Sequence, residues 1–351
     1  MNTNELLERN KICKICKVLE GSHAYGTAIE TSDVDMRGIF CADQKSYLTP
    51  FFNIKEIDIE TEEDTKYFEL KHFMNLLYTQ NPNILQLLWV RDQDIIETSP
   101  AYEYIRSVRG NLLSSAAARS TAGYANGELH KMKSHAKWIS IPTPKTPPKQ
   151  RDHVSLVQWF GDKKMLPSTF AIHHYIKDHI AVPYGNDIYG LYEMKGEYLS
   201  RKDGSFIKHP NFDRTTLNPL AIFKFNREEY QKSKNKHKNY WEWKKNRNPQ
   251  RSILEEKYSY DCKNASHLVR LLRMSYEILD THKVNVFRED ADELLAIRNG
   301  SMQYDELLKY ADDLDKKIKD MYNKTTLREH IDVKYIAAVM MRMQEMVWSK
   351  T

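Results

Sequence analysis

The residue types best suited to chemistry lie close together near the N-terminus. Gly21 and Ser22 are followed, after ten intervening residues, by the segment 33–36, which reads Asp-Val-Asp-Met. On a strand, the two-residue side-chain period places Asp33 and Asp35 on one face and the two apolar residues on the other. Neighbouring carboxylates repel each other unless a cation lies between them, and Mg²⁺ suits carboxylate oxygens and substrate phosphates. Because Gly21 allows close approach to a phosphate and Ser22 offers a hydroxyl and an N–H, the pattern predicts metal-assisted phosphoryl chemistry.

The sequence around this pattern predicts a strand–loop–strand unit. Residues 11–19 alternate between polar and apolar and predict a first strand, and 34–41 predict a second. Between them, 21–32 is rich in small and turn-forming residues and predicts a loop. One or two further strands are expected within 54–68.

Helical periodicity begins at Glu69. Apolar residues then follow the helical spacing i, i+3, i+4, i+7 at Leu70, Phe73, Met74 and Leu77. Asn81-Pro82 ends this helix, and 84–90 predicts another buried segment. Further helices are predicted over 3–9, 101–138 and most of 251–351, with an interruption near 284–287.

The residues of the Gly-Ser and Asp-Val-Asp pattern resemble the signature of DNA-polymerase-beta-type nucleotidyltransferases. The longer stretches GSHAYGT and SDVDMRGIF are similar to the RNA-repair-associated branch of bacteria and tailed phages. An acidic strand that runs into a helix, the Asn81-Pro82 pair and the segment 294–300 are also similar to that branch. One departure is Glu20, which stands where many relatives have an apolar residue. The resemblance implies an α/β (α+β) fold with a small mixed-sheet core, flanking helices, an elaborated middle region and a C-terminal helical domain.

The family pattern also implies a third carboxylate on a neighbouring strand. Asp64 is the first choice because it lies where the acidic strand enters the core, and Glu69 is the alternative on the opposite strand face. With Asp33 and Asp35, Asp64 would complete a catalytic site for two Mg²⁺ or Mn²⁺ ions. One ion would activate the attacking hydroxyl, and the other would steady the triphosphate and the leaving pyrophosphate.

A basic stripe on a late helix is the predicted partner of the triphosphate. Lys263, His267, Arg270 and Arg273 fall at i, i+4, i+7 and i+10 and so lie on one face. The resemblance implies that such a stripe contacts the substrate, so Lys263, His267 and Arg270 join Gly21 and Ser22 as predicted nucleotide-binding residues. The alternatives are a solvated basic face and, for His267, a structural histidine.

Composition and length bound the remaining expectations. The 351 residues carry a net charge of +5 and four cysteines, which predicts reduced core thiols and a cytoplasmic protein. No apolar run approaches the roughly 18–20 residues of a membrane-spanning helix. The proline-rich segment 141–150 predicts a linker, and Lys202-Asp203-Gly204 predicts a hairpin. The expected domains are a catalytic core over 1–138, a basic mixed α/β elaboration over 139–250 and a helical domain over 251–351 that closes the cleft.

The segment 224–251 is the candidate contact for a nucleic acid. It holds ten Lys or Arg residues against three Glu, and the aromatic residues Tyr230, Tyr240, Trp241 and Trp243 lie among them. Such a surface tracks a polyanion and offers rings for base stacking, although a solvated charged helix has the same composition. We therefore predict transfer of a nucleoside monophosphate from an NTP to an RNA 3′ end, with RNA or DNA contacted by 224–251. The alternatives are a protein side chain or a small molecule as acceptor, and an inactive nucleotide-binding module.

Overall fold

The structure is a computed structural model of the chain, and it describes residues 12–50, 53–58, 64–161, 179–192 and 218–349. The chain divides into two compact units, one formed by 1–140 together with 250–351 and the other by 141–249. The C-terminal helices therefore belong to the same unit as the N-terminal sheet. The helix predicted over 3–9 and the hairpin predicted at 202–204 lie outside the described residues.

A mixed five-stranded sheet forms the centre of the first unit, in the order β3-β4-β2-β1-β5. Its strands are β1 (Cys13–Leu19), β2 (Met36–Cys41), β3 (Glu56–Asp58), β4 (Thr65–Glu69) and β5 (Ile95–Glu97). β2 runs antiparallel to β1 and parallel to β4, so Leu19, Met36 and Thr65 lie side by side. β5 begins at Ile95 beside Val18 of β1. This end of the sheet, where β1 ends and where β2, β4 and β5 begin, is called the motif end below.

Helices cover the sheet and complete both units. In chain order they are α1 (Gly21–Tyr25), α2 (Gln44–Leu48), α3 (Leu70–Tyr78), α4 (Pro82–Trp89), α5 (Pro100–Ser107), α6 (Ser115–Ser140), α7 (Arg227–Asn246), α8 (Pro249–Tyr258), α9 (Cys262–Thr281), α10 (Ala291–Arg298), α11 (Tyr304–Tyr322) and α12 (Val333–Trp348). The described chain is thus a mixed α/β protein with C-terminal helices, which confirms the predicted fold class.

Local sequence signals explain several of these elements. All four apolar residues of the predicted α3 stripe are buried, and the Glu69 carboxylate caps the helix by accepting a hydrogen bond from the His72 N–H at 2.9 Å. Asn81 caps α4 in the same way, with Pro82 in the first turn, where its missing N–H costs nothing. The predicted interruption near 284–287 is confirmed, since the chain leaves α9 at Thr281 and re-enters a helix at Ala291.

The central element of the helical part is α9. It is 20 residues long, is buried along most of its length and packs against α6, α10 and α11. Asp261 caps its N-terminus by accepting from the Asn264 N–H at 3.1 Å. At the end of the chain, α12 packs against α3 and α5, and the Trp348 indole N–H donates to the Ala42 carbonyl at 2.9 Å. These contacts attach the C-terminal helices to the sheet.

Two predictions around the motif differ from the structure. The predicted loop 21–32 begins with the five-residue helix α1, and the predicted strand 34–41 begins only at Met36. Val34 was expected to pack inward but is 45% exposed. The reason is that β1 ends at Leu19 and Gly21 turns the chain into α1 with a φ of +66°. Residues 32–34 therefore have no neighbouring β1 residues with which to form a ladder, and Asp35 accepts one further bond from the Glu20 N–H.

The cysteines are packing residues, as predicted. Cys16, Cys41 and Cys262 are buried thiols outside any disulfide, and Cys13 is partly exposed. Burial raises the pKa of Cys41 to about 12 and that of Cys262 to about 11. Such thiols stay protonated at neutral pH and are poor nucleophiles or metal ligands.

The second unit is built on a four-stranded antiparallel sheet in the order β6-β9-β8-β7. The strands are β6 (Val154–Trp159), β7 (Ile180–Gly185), β8 (Ile188–Tyr192) and β9 (Ala221–Phe225). Helix α7 follows β9 directly, and Tyr230 from its first turns packs on the buried Phe225 ring. No helix in the described part of the chain is both long enough and apolar enough to cross a membrane.

Candidate active site

Gly21 and Asp35 are in direct contact at the motif end. The Glu20 N–H donates to the Asp35 carbonyl at 2.9 Å, which extends the β1–β2 pairing by one bond. A Cβ placed on Gly21 would lie only 2.6 Å from Asp35 Oδ2. Position 21 therefore has to be glycine for two reasons, its positive φ and the carboxylate that lies against it. The structure thus brings together the two halves of the sequence pattern, with Ser22 partly buried in the first turn of α1.

Asp64 lies next to Asp35 on the neighbouring strand. Its carbonyl accepts a hydrogen bond from the Met36 N–H at 3.1 Å, immediately before the parallel β2–β4 ladder begins. Its φ of +50° is a left-handed conformation that Asp tolerates better than most residues. Asp33 is exposed two residues before Asp35. Within the described residues, however, no group of three or more His, Cys, Asp and Glu side chains is arranged to hold a metal ion.

Glu69, the alternative third carboxylate, lies at the other end of β4. It pairs in register with Phe40, four residues along β2 from Met36. One carboxylate oxygen caps α3, and the other accepts a hydrogen bond from the Tyr47 hydroxyl. Both carboxylate oxygens of Glu69 therefore have hydrogen-bond partners. Glu69 also lies several strand residues away from Asp35, which favours a structural role for it.

An ion pair beside Asp35 was missed by the sequence analysis. Arg37 Nε lies 2.8 Å from Glu20 Oε2, and the Glu20 side chain is only 13% exposed. Burial raises the pKa of Glu20 and the nearby Asp35 charge raises it further, while Arg37 and Arg270 lower it. The available signal was the strand period, which places Arg37 on the same face as Asp35. The departure at Glu20 is thus a partner for Arg37 at the point where β1 turns into α1.

Arg270 is the most buried of the predicted nucleotide-binding cations. It is 7% exposed, and its guanidinium carbon lies 3.8 Å from the centre of the Tyr25 ring. Nη1 contacts the Met274 sulfur at 3.2 Å, and Nε has no hydrogen-bond partner among the described residues. The other end of Tyr25 is fixed, since its hydroxyl donates to Gln86 Oε1 at 2.5 Å. The buried guanidinium thus has an unsatisfied N–H, and no carboxylate in the described chain forms an ion pair with it. A bound anion would satisfy both.

His267 lies one turn before Arg270 among several positive charges. Burial, and then the charges of Arg270, Lys263 and Arg298, lower the pKa of His267 to about 3. The imidazole is therefore neutral at physiological pH and can hydrogen-bond a ligand without adding charge. Arg298, at the end of α10, was not predicted to belong to this group. Arg298 lies on a different helix from the predicted stripe, so helical spacing alone does not group it with Arg270 and His267.

Arg273, the last residue of the predicted stripe, has a different role. Its guanidinium bonds to Asp290 at 2.6 Å and to Glu293 at 2.7 Å, and it also donates to the Tyr310 hydroxyl. These partners neutralise the charge and fix α9 to α10 and α11. These ion pairs favour a structural role for Arg273 over the expected substrate contact, because the charge at this position is already compensated within the fold.

Helix α7 of the second unit carries the basic segment. Lys232, Lys234, Lys236 and Lys238 are all exposed. The aromatic residues have internal contacts: Tyr240 is 2% exposed, and the Trp241 indole N–H donates to the Pro144 carbonyl at 3.2 Å. Arg247 lies over Trp243, 4.9 Å from the ring centre. The lysines are thus accessible to a polyanion, whereas the aromatic rings already make contacts within the second unit.

Comparison with known families gives one match. Residues 4–143 match the RNA repair pathway DNA polymerase beta family, RlaP. No significant match was found among curated proteins or among solved structures. The matched stretch includes the sheet, Gly21, Ser22 and all three predicted catalytic carboxylates, and the family supports nucleotidyltransferase-type function. Residues 4–143 are thus similar to a polymerase-beta-type family of the RNA repair pathway, which confirms the resemblance predicted from the Gly-Ser and Asp-Val-Asp residues.

Proposed function

We propose that the protein transfers a nucleoside monophosphate from an NTP to an acceptor hydroxyl and releases pyrophosphate, with an RNA 3′ end as the favoured acceptor. The family match supports the chemistry. The observation that carries the proposal is the buried Arg270, whose Nε lacks a partner in the described chain although it lies against Tyr25 of α1. The same short helix begins at Gly21, beside Asp35. A nucleoside triphosphate bound with a metal ion would satisfy both needs, an anion for the arginine and a cation for the carboxylates.

The proposed metal ligands are Asp33, Asp35 and Asp64, with Mg²⁺ or Mn²⁺ as the ion. Their carboxylate oxygens suit these hard cations, and Asp35 and Asp64 immediately precede the neighbouring strands β2 and β4. Mg²⁺ usually takes only one or two protein carboxylates and completes its shell with water and substrate phosphates. The donor set therefore fits such an ion, although no three-residue group is formed within the described part of the chain. When bound, the ion would activate the acceptor hydroxyl and offset the charge of the triphosphate.

The other proposed site residues bind and orient the nucleotide. Gly21 lets the Asp35 carboxylate lie against the start of α1, because no Cβ stands at position 21, and Ser22 offers a hydroxyl and an N–H to a phosphate there. Arg270 and Lys263 supply positive charge, and neutral His267 supplies a hydrogen bond. In this arrangement negatively charged protein side chains would face the metal ion, and positively charged side chains would face the triphosphate, as nucleotidyl transfer requires.

The test is NTP turnover in carboxamide variants. Asp35→Asn, Asp33→Asn and Asp64→Asn each remove a metal-binding charge and keep the side-chain shape, so each should abolish transfer from labelled NTP in the presence of Mg²⁺. The matched control is Asp320→Asn, which removes an exposed carboxylate on α11 and should keep full activity. Unchanged turnover in Asp35→Asn would refute the metal-dependent proposal. If Glu69→Gln is inactive and Asp64→Asn is active, Glu69 is the third metal-binding carboxylate in place of Asp64.

The acceptor can be tested separately through the basic segment of α7. If the lysines track an RNA backbone, log affinity should fall with log salt by about 0.7 per neutralised phosphate. Replacing Lys232, Lys234, Lys236 and Lys238 with Gln should flatten that slope and leave NTP affinity unchanged. The internal contacts of Tyr240 and Trp241 favour a second candidate, the same transfer to a protein side chain or a small molecule. Wild-type protein without salt-dependent RNA or DNA binding would make that candidate the leading one.

A further inference from the structure

An exposed aromatic ring stands on a rigid loop beside α1. Phe287 is 38% exposed and belongs to the connection between α9 and α10. Its neighbour Arg288 is 4% exposed and forms ion pairs with Glu277 at 2.6 Å and with Asp290 at 2.8 Å. The Arg288 N–H also donates to the Tyr25 carbonyl at 3.0 Å. The position of the ring is therefore fixed by buried bonds, although the connection has no regular structure.

The surroundings of Phe287 leave part of the ring accessible. The Arg91 guanidinium carbon lies 3.7 Å from the ring centre, which is cation–π stacking distance. Arg91 is itself held by a bidentate pair with Asp94, at 2.8 and 3.0 Å. Gly26 lies so close that a Cβ there would be 2.6 Å from Phe287 Cε2. One face of the ring is thus supported by a fixed planar cation, and the end of α1 lies against the ring.

This ring lies at the motif end of the sheet, on the side away from Asp64. Arg91 precedes β5, and β5 starts beside Val18 of β1. The order β4-β2-β1-β5 therefore places the start of β5, which follows Arg91 by four residues, two strand spacings, about 10 Å, from the start of β2. Along α1, Gly21 and Gly26 are about 7.5 Å apart. This is the scale on which a nucleotide separates its phosphates from its base.

Tyr25 links the two regions directly. Its ring stacks on Arg270, the proposed triphosphate contact, and its carbonyl holds the loop of Phe287. A phosphate group at Gly21 and Arg270 therefore leaves the rest of the nucleotide free to extend along α1 towards Phe287. An exposed ring alone would carry no conclusion, since single exposed apolar residues are common. Here the ring is stacked, immobilised and continuous with the phosphate site.

We infer that Phe287, supported by Arg91, is the platform on which the base of the bound NTP stacks. The inference rests on the proposed function, because it needs a triphosphate anchored at Gly21 and Arg270. Stacking uses the π-face that all bases share, so the platform holds the base without selecting among the four nucleotides. It also keeps the sugar in line with α1 and the α-phosphate near Asp35.

The test compares ligands with and without a base, measured by calorimetry on the full chain. Phe287→Ala should weaken NTP binding about 5- to 100-fold, the loss expected for one stacked base. Tripolyphosphate, which has no base, should bind wild type and variant equally. Phe287→Trp should retain NTP affinity. The matched control is Tyr78→Ala, which removes another exposed aromatic ring, 45% exposed at the end of α3, and should bind NTP as wild type does.

Each outcome has a distinct meaning. Equal NTP affinity in Phe287→Ala and wild type would overturn the platform, and so would an equal loss of NTP and tripolyphosphate binding. If Phe287→Ala does not fold, Phe287→Leu keeps apolar volume without a π-face and should show the same selective loss. Wild-type protein that binds no NTP would refute the proposed function, and the platform with it. NTP binding that is insensitive to position 287 refutes the platform alone.

Discussion

The contact between Gly21 and Asp35 makes Gly21→Ala the most direct perturbation of the site. The added Cβ would lie 2.6 Å from Asp35 Oδ2, whereas ordinary van der Waals contact begins at 3.4 Å. The carboxylate must therefore move by about 0.8 Å, because the backbone at Gly21 is fixed by the start of α1. A misplacement of about 1 Å at a reacting centre costs roughly 10²-fold in rate. We expect kcat to fall by about that factor.

The effect on folding should be much smaller than the effect on rate. Placing alanine at a φ of +66° costs about 1–2 kcal/mol. For a unit of this size, 1 kcal/mol lowers Tm by about 2–4 °C. The variant should therefore stay folded at 25 °C, with Tm reduced by about 2–8 °C. Turnover of labelled NTP at several Mg²⁺ concentrations measures the first effect, and calorimetric melting measures the second.

Gly185→Ala is the matched control for backbone strain. Gly185 has a φ of +102°, and a Cβ there meets no atom within 4 Å. This variant should lose a similar amount of stability and keep wild-type kcat. If Gly21→Ala keeps its kcat and Mg²⁺ dependence while losing only stability, Asp35 does not act at the reacting centre. A loss of activity in both variants would trace the effect to folding and refute the same argument.

Four further predictions concern the charges around the site. Glu20→Gln removes the ion pair with Arg37 and should lower the free energy of unfolding by about 1–3 kcal/mol, measured in urea. Arg270→Met should weaken NTP binding in calorimetry without loss of stability, because it replaces a buried unpaired charge with an apolar chain. Arg273→Met should have the opposite effect, with a lower free energy of unfolding and unchanged NTP affinity. We expect a loss of about 2–3 kcal/mol, less than for a fully buried ion pair, because the carboxylate partners of Arg273 are only partly buried. The pKa of His267 is lowered to about 3 in the folded protein, so between about pH 6.5 and 3 this histidine is protonated only in the unfolded chain. The free energy of unfolding should therefore fall as the pH drops from 6.5 towards 3. The decrease should be less steep in His267→Gln.

Elements with local signals could be predicted from the sequence. The apolar stripe of α3, the helix end before Asn81-Pro82 and the first strand are each encoded within about ten residues. The structure has all three, although Ile15 and Cys16 are both buried at a bulge in β1. The contact between Gly21 and Asp35 was also predictable in kind, because a Gly-Ser turn and an Asp-Val-Asp strand suit one phosphate and metal site. What remained hidden was the length of the second strand. That length depends on where β1 ends, and β1 ends at the turn imposed by Gly21.

The basic stripe of α9 shows the limit more clearly. Arg270 and Arg273 follow the same helical spacing, and nothing in their own segment distinguishes them. The difference comes from residues that follow later in the chain, since Asp290 and Glu293 reach Arg273 from α10 and its N-terminal flank. Arg270 points instead to the aromatic ring of Tyr25. Which cation is neutralised within the fold is thus a property of tertiary packing, and periodicity alone does not contain it.

The two sides of the proposed site depend on each other for electrostatic reasons. In the proposed site Asp35 and Asp64 would share a cation, while burial and then the charges of Arg270, Lys263 and Arg298 lower the pKa of His267 and keep it neutral. A metal ion alone would leave Arg270 Nε, which has no hydrogen-bond partner among the described residues, without an anion, and a free triphosphate would bring its negative charge close to the carboxylates. The metal–NTP complex compensates both, so each component should bind more tightly in the presence of the other. The reciprocal coupling would appear as a lower NTP dissociation constant in Mg²⁺ than in EDTA, and it should shrink in Asp35→Asn and in Arg270→Met.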